Sequence, residues 1–173
     1  MKSGNLKIET VKGDIANQPD VQAIVNAANA ELRIGGGVAG CIHRAAGTGL
    51  ESECRKHAPI NPGEAVITGA HDLPNEYVIH CLGPVYGVDE PSDKLLAACY
   101  RNSINLAEKY KVQSIAFPAI STGAFGFPIE PATDIALAEV KEQSKNIKHL
   151  KVIRFVLFSQ KDLDVYQRKL KLM

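Results

Sequence analysis

The chain has 173 residues, 45% of them hydrophobic, and its 20 basic and 19 acidic residues leave a net charge of +1. This size favours one globular domain spanning residues 1–173, and the near-neutral charge argues against nucleic acid as a partner. The sequence contains no run of about 18 apolar residues, the length that a membrane span requires. The N-terminus lacks the apolar core of a signal peptide, so a cytoplasmic protein is expected.

The first half of the chain alternates short apolar runs with amphipathic stretches. Period-two alternation predicts a strand in residues 7–11, and a run that is apolar on both faces predicts a buried strand in residues 23–27. Two helices are expected next, followed by two strands that are joined by a polar turn and end at Gly83-Pro84. These four elements occupy residues 38–46, 48–57, 64–69 and 77–82.

The second half of the chain continues this alternation. Small and apolar residues share one face of a helix over residues 92–109. A strand follows at 114–117, and the prolines within residues 128–131 suit the opening of another helix. Residues 150–158 are the most apolar strand, which we expect to be central in the sheet. A last helix is expected from about residue 162 to residue 170.

The order of these elements predicts where a ligand would bind. Strands separated by helices indicate parallel pairing, with helices on both faces of one sheet. In such a sheet ligands bind beyond the carboxyl ends of the strands. The loops of interest are therefore those that follow Val11, Ala27, Phe117 and Phe158.

The loop after Ala27 contains a triple glycine. The buried strand runs through Asn26 to Asn29 and then reaches Gly35-Gly36-Gly37-Val38-Ala39-Gly40. Consecutive glycines are unfavourable in backbone entropy, but they suit a chain that presents its N–H groups to an anion at the start of a helix. The spacing matches neither a Walker loop nor a dinucleotide-binding turn. Alone, the stretch favours an ordinary tight turn slightly over phosphate binding.

A second loop of small residues lies between a strand and a helix. Its sequence is Pro118-Ala119-Ile120-Ser121-Thr122-Gly123-Ala124-Phe125-Gly126-Phe127-Pro128. Backbone amides of this loop can again face an anion, and the hydroxyls of Ser121 and Thr122 add two donors. Two such loops at one edge of a sheet could hold a diphosphate from both sides, so the pair is more specific than either loop.

Two side chains lie at the ends of the first and the last predicted strand. Asp14, in the turn after the first strand, fits an ordinary cap or Asx-turn, or else an acceptor for an exocyclic amine such as that of adenine. Phe158, at the end of the last strand, fits either the core or a base that stacks on its ring.

The cysteines and histidines give no sign of a metal site. Cys41, Cys54, Cys81 and Cys99 are scattered without a C-x-x-C pair, and the five histidines do not cluster. We therefore expect reduced, packed thiols, with no metal, no disulfide framework and no cofactor.

Together these segments resemble the macrodomain family, most closely its MacroD-type branch. The matches run in order along nearly the whole chain, from about Leu6 to Leu170. They are Gly13-Asp14-Ile15, Ile24-Val25-Asn26-Ala27-Ala28-Asn29, Gly35-Gly36-Gly37-Val38, His43-Arg44-Ala45-Ala46-Gly47, Gly63-Glu64-Ala65-Val66-Ile67-Thr68 and Phe117-Pro118-Ala119-Ile120-Ser121-Thr122-Gly123. The resemblance implies an α/β fold, a three-layer α/β/α sandwich with a central mixed, mostly parallel six-stranded sheet.

The ligand implied by this resemblance is ADP-ribose. Asp14 would bind the adenine amine, the Ile15 amide would bind a ring nitrogen, and Phe158 would stack on the base. One wall around the pyrophosphate and the distal ribose would be Gly35, Gly36, Gly37, Val38 and Ala39. The opposite wall would be Ser121, Thr122, Gly123, Ala124, Phe125 and Gly126, with Phe125 beside the distal ribose.

Two asparagines complete the ligand-binding set that the resemblance implies. Asn29 would be the catalytic residue, since it would hydrogen-bond the distal ribose near its reactive carbon. Asn26 belongs to the same ligand-binding segment and is expected to hold the loop in shape. The expected partners are ADP-ribose and either an ADP-ribosylated protein or O-acetyl-ADP-ribose, bound by a monomer.

Whether the chain is an enzyme depends on one position. The MacroD-type pattern has an aspartate after Gly-Gly-Gly-Val, and here that position is Ala39, whose methyl group cannot accept a proton. Viral macrodomains share Gly-Gly-Gly-Val-Ala-Gly, and members of that group hydrolyse ADP-ribosyl esters. His43, one helical turn further on, could replace the missing base, although packing is the favoured interpretation of this residue.

Three functional hypotheses follow for this chain. The first is an ADP-ribosylhydrolase that acts on modified Asp or Glu side chains or deacetylates O-acetyl-ADP-ribose. The second is a non-catalytic ADP-ribose reader, which Ala39 favours. The third, a binder of nucleic acid or of another nucleotide, is disfavoured by the neutral charge.

Overall fold

The computed structural model of the protein describes residues 2–173. The strands are β1 (Lys2–Ser3), β2 (Leu6–Lys12), β3 (Ala23–Ala27), β4 (Ala65–Gly69), β5 (Tyr77–Cys81), β6 (Ser114–Phe117) and β7 (Val152–Leu157). The helices are α1 (Gly37–Ala46), α2 (Thr48–Cys54), α3 (Ser92–Lys109), α4 (Ile129–Gln143) and α5 (Gln160–Lys171). Every predicted strand and helix is present, with shifts of a few residues at the ends.

The strands form one mixed sheet in the order β1-β2-β7-β6-β3-β5-β4. The pairs β2–β7, β7–β6, β6–β3 and β3–β5 are parallel, whereas β4 pairs antiparallel with β5 at one edge. The expected mixed, mostly parallel sheet of six strands is confirmed. The two-residue β1 pairs antiparallel with β2 and extends the other edge.

Strand β7 is an interior strand of the sheet. It is not the central strand, contrary to the prediction made from its apolar composition. It lies between β2 and β6, one position from the edge of the six longer strands, while β6 and β3 occupy the middle. Ile153, Phe155 and Leu157 of β7 are buried on one face of the sheet and Val156 is buried on the other, while Arg154 is partly buried beside Val156. Two-sided burial therefore explains its composition, and the position within the sheet depends on the crossovers.

Helices cover both faces of the sheet and create two hydrophobic cores. Leu96 of α3, Leu137 of α4 and Leu163 of α5 belong to the core on one face, and Ile42 of α1 and Leu50 of α2 belong to the core on the other. Side chains alternate between these cores along β7, as the pleat of a strand requires. The protein is therefore a three-layer α/β/α sandwich, as expected.

The end of α2 and the state of the cysteines differ little from expectation. Helix α2 ends at Cys54, three residues before the predicted end, and a turn follows in which the His57 amide donates to the Cys54 carbonyl over 2.9 Å. Cys54, Cys81 and Cys99 are buried free thiols and Cys41 is half-buried, which confirms their predicted packing.

Residues 2–173 contain neither a membrane span nor a metal cluster. No helix in this range is long and apolar enough to cross a membrane. No group of three or more His, Cys, Asp or Glu side chains in the same range is arranged to hold a metal ion.

Candidate functional site

The predicted site loops leave the sheet at one edge. Because β2, β7, β6 and β3 are parallel neighbours, their carboxyl ends lie on the same side of the sheet. Lys12 pairs with Leu157 and Phe117 pairs with Phe155, so the last residues of three of these strands are close to level. The loops that begin at residues 13, 28, 118 and 158 therefore share this edge.

Phe158 is at this edge and not in the core. Its side chain is 89% exposed, so the alternative of a core phenylalanine is wrong. The Gly13 amide donates to the Leu157 carbonyl over 3.0 Å, which sets the turn that contains Asp14 beside Phe158. An exposed aromatic face next to a carboxylate can receive a planar base that carries an amine.

The turn at Asp14 is an Asx-turn that leaves acceptor capacity free. One carboxylate oxygen, Oδ1, accepts the Ala16 amide over 2.9 Å, and the Asp14 carbonyl accepts the Asn17 amide over 3.0 Å. The side chain is exposed, and within residues 2–173 no hydrogen bond engages Oδ2. The Ile15 side chain is buried, so this residue can reach a ligand through its backbone, as expected.

The triple glycine starts α1 and exposes backbone donors. Gly37 has φ +54, in the left-handed region that favours glycine, and the Gly40 amide donates to the Gly36 carbonyl over 3.2 Å. A Cβ at Gly40 would lie 2.4 Å from the Gly35 carbonyl oxygen, so residue 40 must be glycine for this path. The amides of residues 37–39 precede the first helical bond, so they are available to an anion.

The second loop is closed by its own backbone bonds. Phe127 donates to the Ser121 carbonyl over 2.9 Å, and Gly126 donates to the Gly123 carbonyl over 3.0 Å. Ser121 itself has φ +66, which places a non-glycine residue in the left-handed region. The amides of residues 123–125 have no acceptor in the described chain, so this loop presents a second set of N–H donors.

The two hydroxyls of this loop have structural roles, which corrects the expectation that they add donors to the site. Ser121 Oγ donates to the Pro84 carbonyl over 2.8 Å, and Thr122 Oγ1 donates to the Ala119 carbonyl over 2.8 Å. Each hydroxyl has one proton, so neither can donate to a phosphate while these bonds exist. The donors of this loop are backbone amides.

Residues 83–86 support the second loop, a role that was not predicted from the sequence. A Cβ at Gly83 would lie 2.1 Å from Ser121 Oγ, so the loop packs directly on this glycine. The Tyr86 amide donates to the Phe125 carbonyl over 2.9 Å, and the Tyr86 ring centroid is 4.7 Å from that of Phe127. The Gly83-Pro84 pair after a buried strand could have indicated a close contact with another loop. No local pattern in the sequence indicates the role of Tyr86.

Both loops border the same face of the sheet. Val38 from the glycine loop and Phe125 from the second loop are partly buried against the hydrophobic core that includes Ile15 and Leu32. The turn at Asp14, the glycine loop and the second loop are thus all placed along the side covered by α1 and α2. The structure brings these sequence-predicted segments together along one continuous edge.

Asn29 is half-buried and closes the segment before the glycines. Its Nδ2 donates to the Arg33 carbonyl over 2.8 Å, and its Oδ1 accepts the Arg33 amide over 3.0 Å. A Cβ at Gly35 would lie 3.1 Å from Nδ2, so the amide group is adjacent to the glycine loop. A carboxamide has four hydrogen-bonding positions, so donor and acceptor capacity remains for a ligand.

The Asn26 side chain lies inside the protein, so any contact between Asn26 and a ligand at the edge would have to use its backbone. It is fully buried, and its Nδ2 lies 3.0 Å from His80 Nδ1. With the amide as donor, the other ring nitrogen of His80 donates to Thr68 Oγ1 over 2.9 Å. Burial lowers the pKa of His80 to about 3, so the ring is neutral and the network links β3, β4 and β5.

His43 and Ala39 are both buried on α1. Ala39 is 5% exposed and offers a methyl group where the MacroD-type pattern has a carboxylate. The His43 ring centroid is 6.4 Å from that of His80, and burial lowers the pKa of His43. Neither His43 ring nitrogen has a hydrogen-bond partner in the described residues. His43 is thus a buried neutral ring, in agreement with the packing interpretation.

Two shallow depressions of about 350 and 410 Å³ lie away from these loops. The first is bordered by Glu64, Asn102 and Lys109, and the second by Thr10, Gln167 and Lys171. Neither brings together unpaired donors, acceptors and aromatic surface. The carboxyl edge of the sheet does so, and chemistry rather than concavity therefore identifies the candidate site.

The chain is similar to a known family and to several of its members. The model of the Macro domain family matches residues 25–136. A macro domain-containing protein of Chlorobaculum tepidum is 47% identical over 96% of each chain. The ADP-ribose glycohydrolase MACROD2 of Homo sapiens is 45% identical over 98% of this chain, which spans 40% of that longer protein.

Two solved structures have the same overall fold. The Oceanobacillus iheyensis macrodomain with ADP superimposes with a TM-score of 0.93 at 38% identity, covering 99% of this chain and 95% of that one. The Trypanosoma brucei macrodomain in complex with ADP-ribose superimposes with a TM-score of 0.88 at 36% identity, covering 94% and 68%.

Proposed function

Because the chain belongs to the macro domain family, we propose that it binds ADP-ribose along the carboxyl edge of its sheet and hydrolyses ADP-ribosyl esters there. The observation that carries this proposal is the presence at one edge of two loops with backbone amides that lack an acceptor in residues 2–173. The similarity to the ADP-ribose glycohydrolase MACROD2 and to a macrodomain in complex with ADP-ribose supports it.

The diphosphate is assigned to the two loops. The amides of residues 37–39 start α1, where the helix dipole also favours an anion. The amides of residues 123–125 supply donors from the other loop. Backbone donors of this kind are fixed before the ligand arrives, so little reorganisation accompanies binding.

The adenine is assigned to the other end of the edge. Phe158 offers an exposed ring for stacking, and Oδ2 of Asp14 can accept the exocyclic amine while Oδ1 keeps its bond to Ala16. The Ile15 amide supplies a donor for a ring nitrogen. This set distinguishes adenine, which has an amine, from a base that has a carbonyl at the same position.

The distal ribose and the ester are assigned to Asn29 and its surroundings. The Asn29 carboxamide can hold a ribose hydroxyl beside the reactive carbon, since it lies next to Gly35. Ala39 cannot act as a base, so orientation of the water falls to Asn29 and to the diphosphate of the substrate itself. Orientation of this kind sustains catalysis of a labile ester without a protein base, at a lower rate.

The substrates that fit this chemistry are esters on the distal ribose. They are mono-ADP-ribosylated Asp or Glu side chains of a protein, and O-acetyl-ADP-ribose. A second candidate function is a reader that binds ADP-ribose without hydrolysis. The buried methyl group of Ala39 favours this alternative, because it removes a carboxylate from the catalytic end.

One assay separates hydrolase from reader. The protein is incubated with a target that is mono-ADP-ribosylated on acidic residues, and loss of the modification is followed while calorimetry measures ADP-ribose binding. We expect release by the parent protein and its near-complete loss in Asn29→Ala. Intact binding without any release over hours at stoichiometric protein would overturn hydrolysis and leave the reader.

A further inference from the structure

Arg154 is a partly buried cation that joins the sheet to the turn at Asp14. It lies on β7, and its side chain is 12% exposed. Its Nε donates to Glu9 of β2 over 2.9 Å. Its two terminal nitrogens donate to the two carboxylate oxygens of Asp20 over 2.8 and 2.7 Å. One guanidinium therefore ties two strands to the segment that follows the Asp14 turn.

The same guanidinium reaches Asp14 through one intervening side chain. Arg154 Nη1 also donates to Gln18 Oε1 over 2.9 Å, and Gln18 Nε2 donates to the Asp14 carbonyl over 3.0 Å. The backbone of Gln18 is held as well, because Asn75 Nδ2 donates to its carbonyl over 2.8 Å. Arg154, Gln18 and Asp14 thus form a continuous hydrogen-bonded series, which we call the turn brace.

Charge holds the turn brace in place. Hydrogen bonds from Arg154 lower the pKa of Asp20 to about 2, and its two carboxylate partners, Asp20 and Glu9, raise the pKa of Arg154. Withdrawing a cation from water is unfavourable unless it is well paired. A planar guanidinium can satisfy Glu9, Gln18 and Asp20 together, whereas the ammonium of a lysine lacks this fork geometry.

The strand that carries Arg154 leads directly into Phe158. Arg154 lies within β7, and Phe158 directly follows Leu157, the last residue of that strand. The brace therefore fixes the Asp14 turn relative to the strand that carries the aromatic ring.

We propose that Arg154 and Gln18 are positioning residues that determine the preference of the site for adenine, an inference that rests on the proposed ADP-ribose function. Neither side chain touches the ligand. Each acts through the Asp14 carbonyl, and so through the direction in which Oδ2 and the Ile15 amide point. A base with a carbonyl in place of the amine is rejected when Oδ2 is held in place, and tolerated when the turn can move.

The test compares two ligands on matched variants. Calorimetry measures the dissociation constants of ADP-ribose and of its hypoxanthine analogue for the parent, Gln18→Met and Arg154→Met. We expect the parent to prefer ADP-ribose, and each variant to reduce that preference about tenfold, as expected for the loss of one effective hydrogen bond. Gln18→Glu should behave like Gln18→Met, because it keeps an acceptor for Arg154 but loses the donor to Asp14.

Controls separate positioning from a loss of fold. Arg168→Met removes an exposed guanidinium that pairs with Glu130 between α5 and α4, and we expect its ligand preference to equal that of the parent. If Arg154→Met does not fold, Gln18→Met carries the test alone. A folded Gln18→Met with undiminished preference for adenine overturns the turn brace. A parent without any preference overturns the adenine assignment together with this inference.

Discussion

The two ends of the candidate site offer different chemical groups to a ligand. At the proposed adenine end, two of the groups offered to a ligand belong to side chains, the Asp14 carboxylate and the Phe158 ring, and the third is the Ile15 amide. At the diphosphate end the groups offered are backbone amides of residues 37–39 and 123–125. Glycines and buried contacts, rather than charged side chains, set their direction.

This difference determines how substitutions act at each end. An exposed side chain can be changed at the adenine end with little effect on the core, so affinity and stability are separable there. The amides of the diphosphate end depend on the path of the chain, so a change that moves this path alters binding and stability together. Four predictions test this separation, from the largest expected effect to the smallest.

The largest effect is expected for Ala39→Asp at the catalytic side of the diphosphate end. A carboxylate in the first turn of α1 is favoured by the helix dipole and would supply the missing base. We expect turnover of an ADP-ribosyl ester to rise by roughly 10²–10⁴-fold. An unchanged rate, with ADP-ribose affinity retained, would show that the base is not limiting.

The second effect tests the backbone path directly. In Gly40→Ala the new methyl would lie 2.4 Å from the Gly35 carbonyl oxygen and 2.8 Å from an Arg44 nitrogen. Because the carbonyl belongs to the loop backbone, the loop must shift. We expect the free energy of unfolding to fall by about 1–3 kcal/mol, and ADP-ribose affinity to fall with it, as measured by urea titration and calorimetry.

Gly36→Ala is the matched control for this prediction. It lies in the same loop with φ −83, and no atom beyond its chain neighbours lies within 4 Å of the position that its new methyl would occupy. We expect its free energy of unfolding to remain within about 0.5 kcal/mol of the parent. Equal losses of stability in both variants would contradict the steric explanation.

The third effect separates affinity from stability at the adenine end. Asp14→Asn keeps an oxygen for the Ala16 amide but replaces the free acceptor with an NH₂ group that faces the adenine amine. We expect ADP-ribose affinity to fall by about 1–3 kcal/mol, the effect of an unpaired donor, with the thermal unfolding midpoint unchanged. A matching loss of stability would show that the turn, and not the ligand contact, had been damaged.

The fourth effect is the pH dependence of stability, which differs between His80 in the core and Asp20 beside Arg154. The pKa of His80 is about 3 in the folded protein and 6.5 ordinarily, so between these values the unfolded chain binds the extra proton. The contribution of His80 to stability is therefore complete above pH 6.5 and is lost by about 1.4 kcal/mol per pH unit below it. The pKa of Asp20 is lowered from 3.8 to about 2, so its contribution is lost in the lower window between these values.

Urea unfolding at pH 7, 6, 5 and 4 measures this slope. We expect His80→Gln to reduce this slope, whatever the absolute stability of the variant, and the remaining slope to include His43, whose pKa is also lowered by burial. A parent slope that His80→Gln does not reduce would assign the acid sensitivity to another group.

The sequence predicted the fold because its patterns are local. Alternation over residues 7–11 and two-sided apolarity over residues 23–27 located β2 and β3, and the resemblance gave the layer order. The loops of the site were also found, since glycines and small residues between a strand and a helix are a local signal. The supports of these loops were not found, because Gly83 meets Ser121 and Arg154 meets Gln18 across long separations in the chain.

The tertiary structure decided the surroundings of three sets of side chains that the sequence had left open. Phe158 could be core or surface by composition, and its 89% exposure depends on β7 ending at the open edge of the sheet. Asn26 shares a motif with Asn29, but the pleat turns its side chain into the core, where it meets His80. The hydroxyls of Ser121 and Thr122 are occupied by carbonyls that only the folded loop brings near.

What the sequence determined by itself is the set of elements and the chemical character of each loop, because these depend on neighbours within a few residues. What only the tertiary structure decided is which groups remain free for a ligand. That depends on how strands distant in the chain align, and on which donors and acceptors they satisfy in one another. The glycine stretch at residues 35–40 was visible from the start, but its unpaired amides and the buried methyl group of Ala39 became evident only in the assembled sheet.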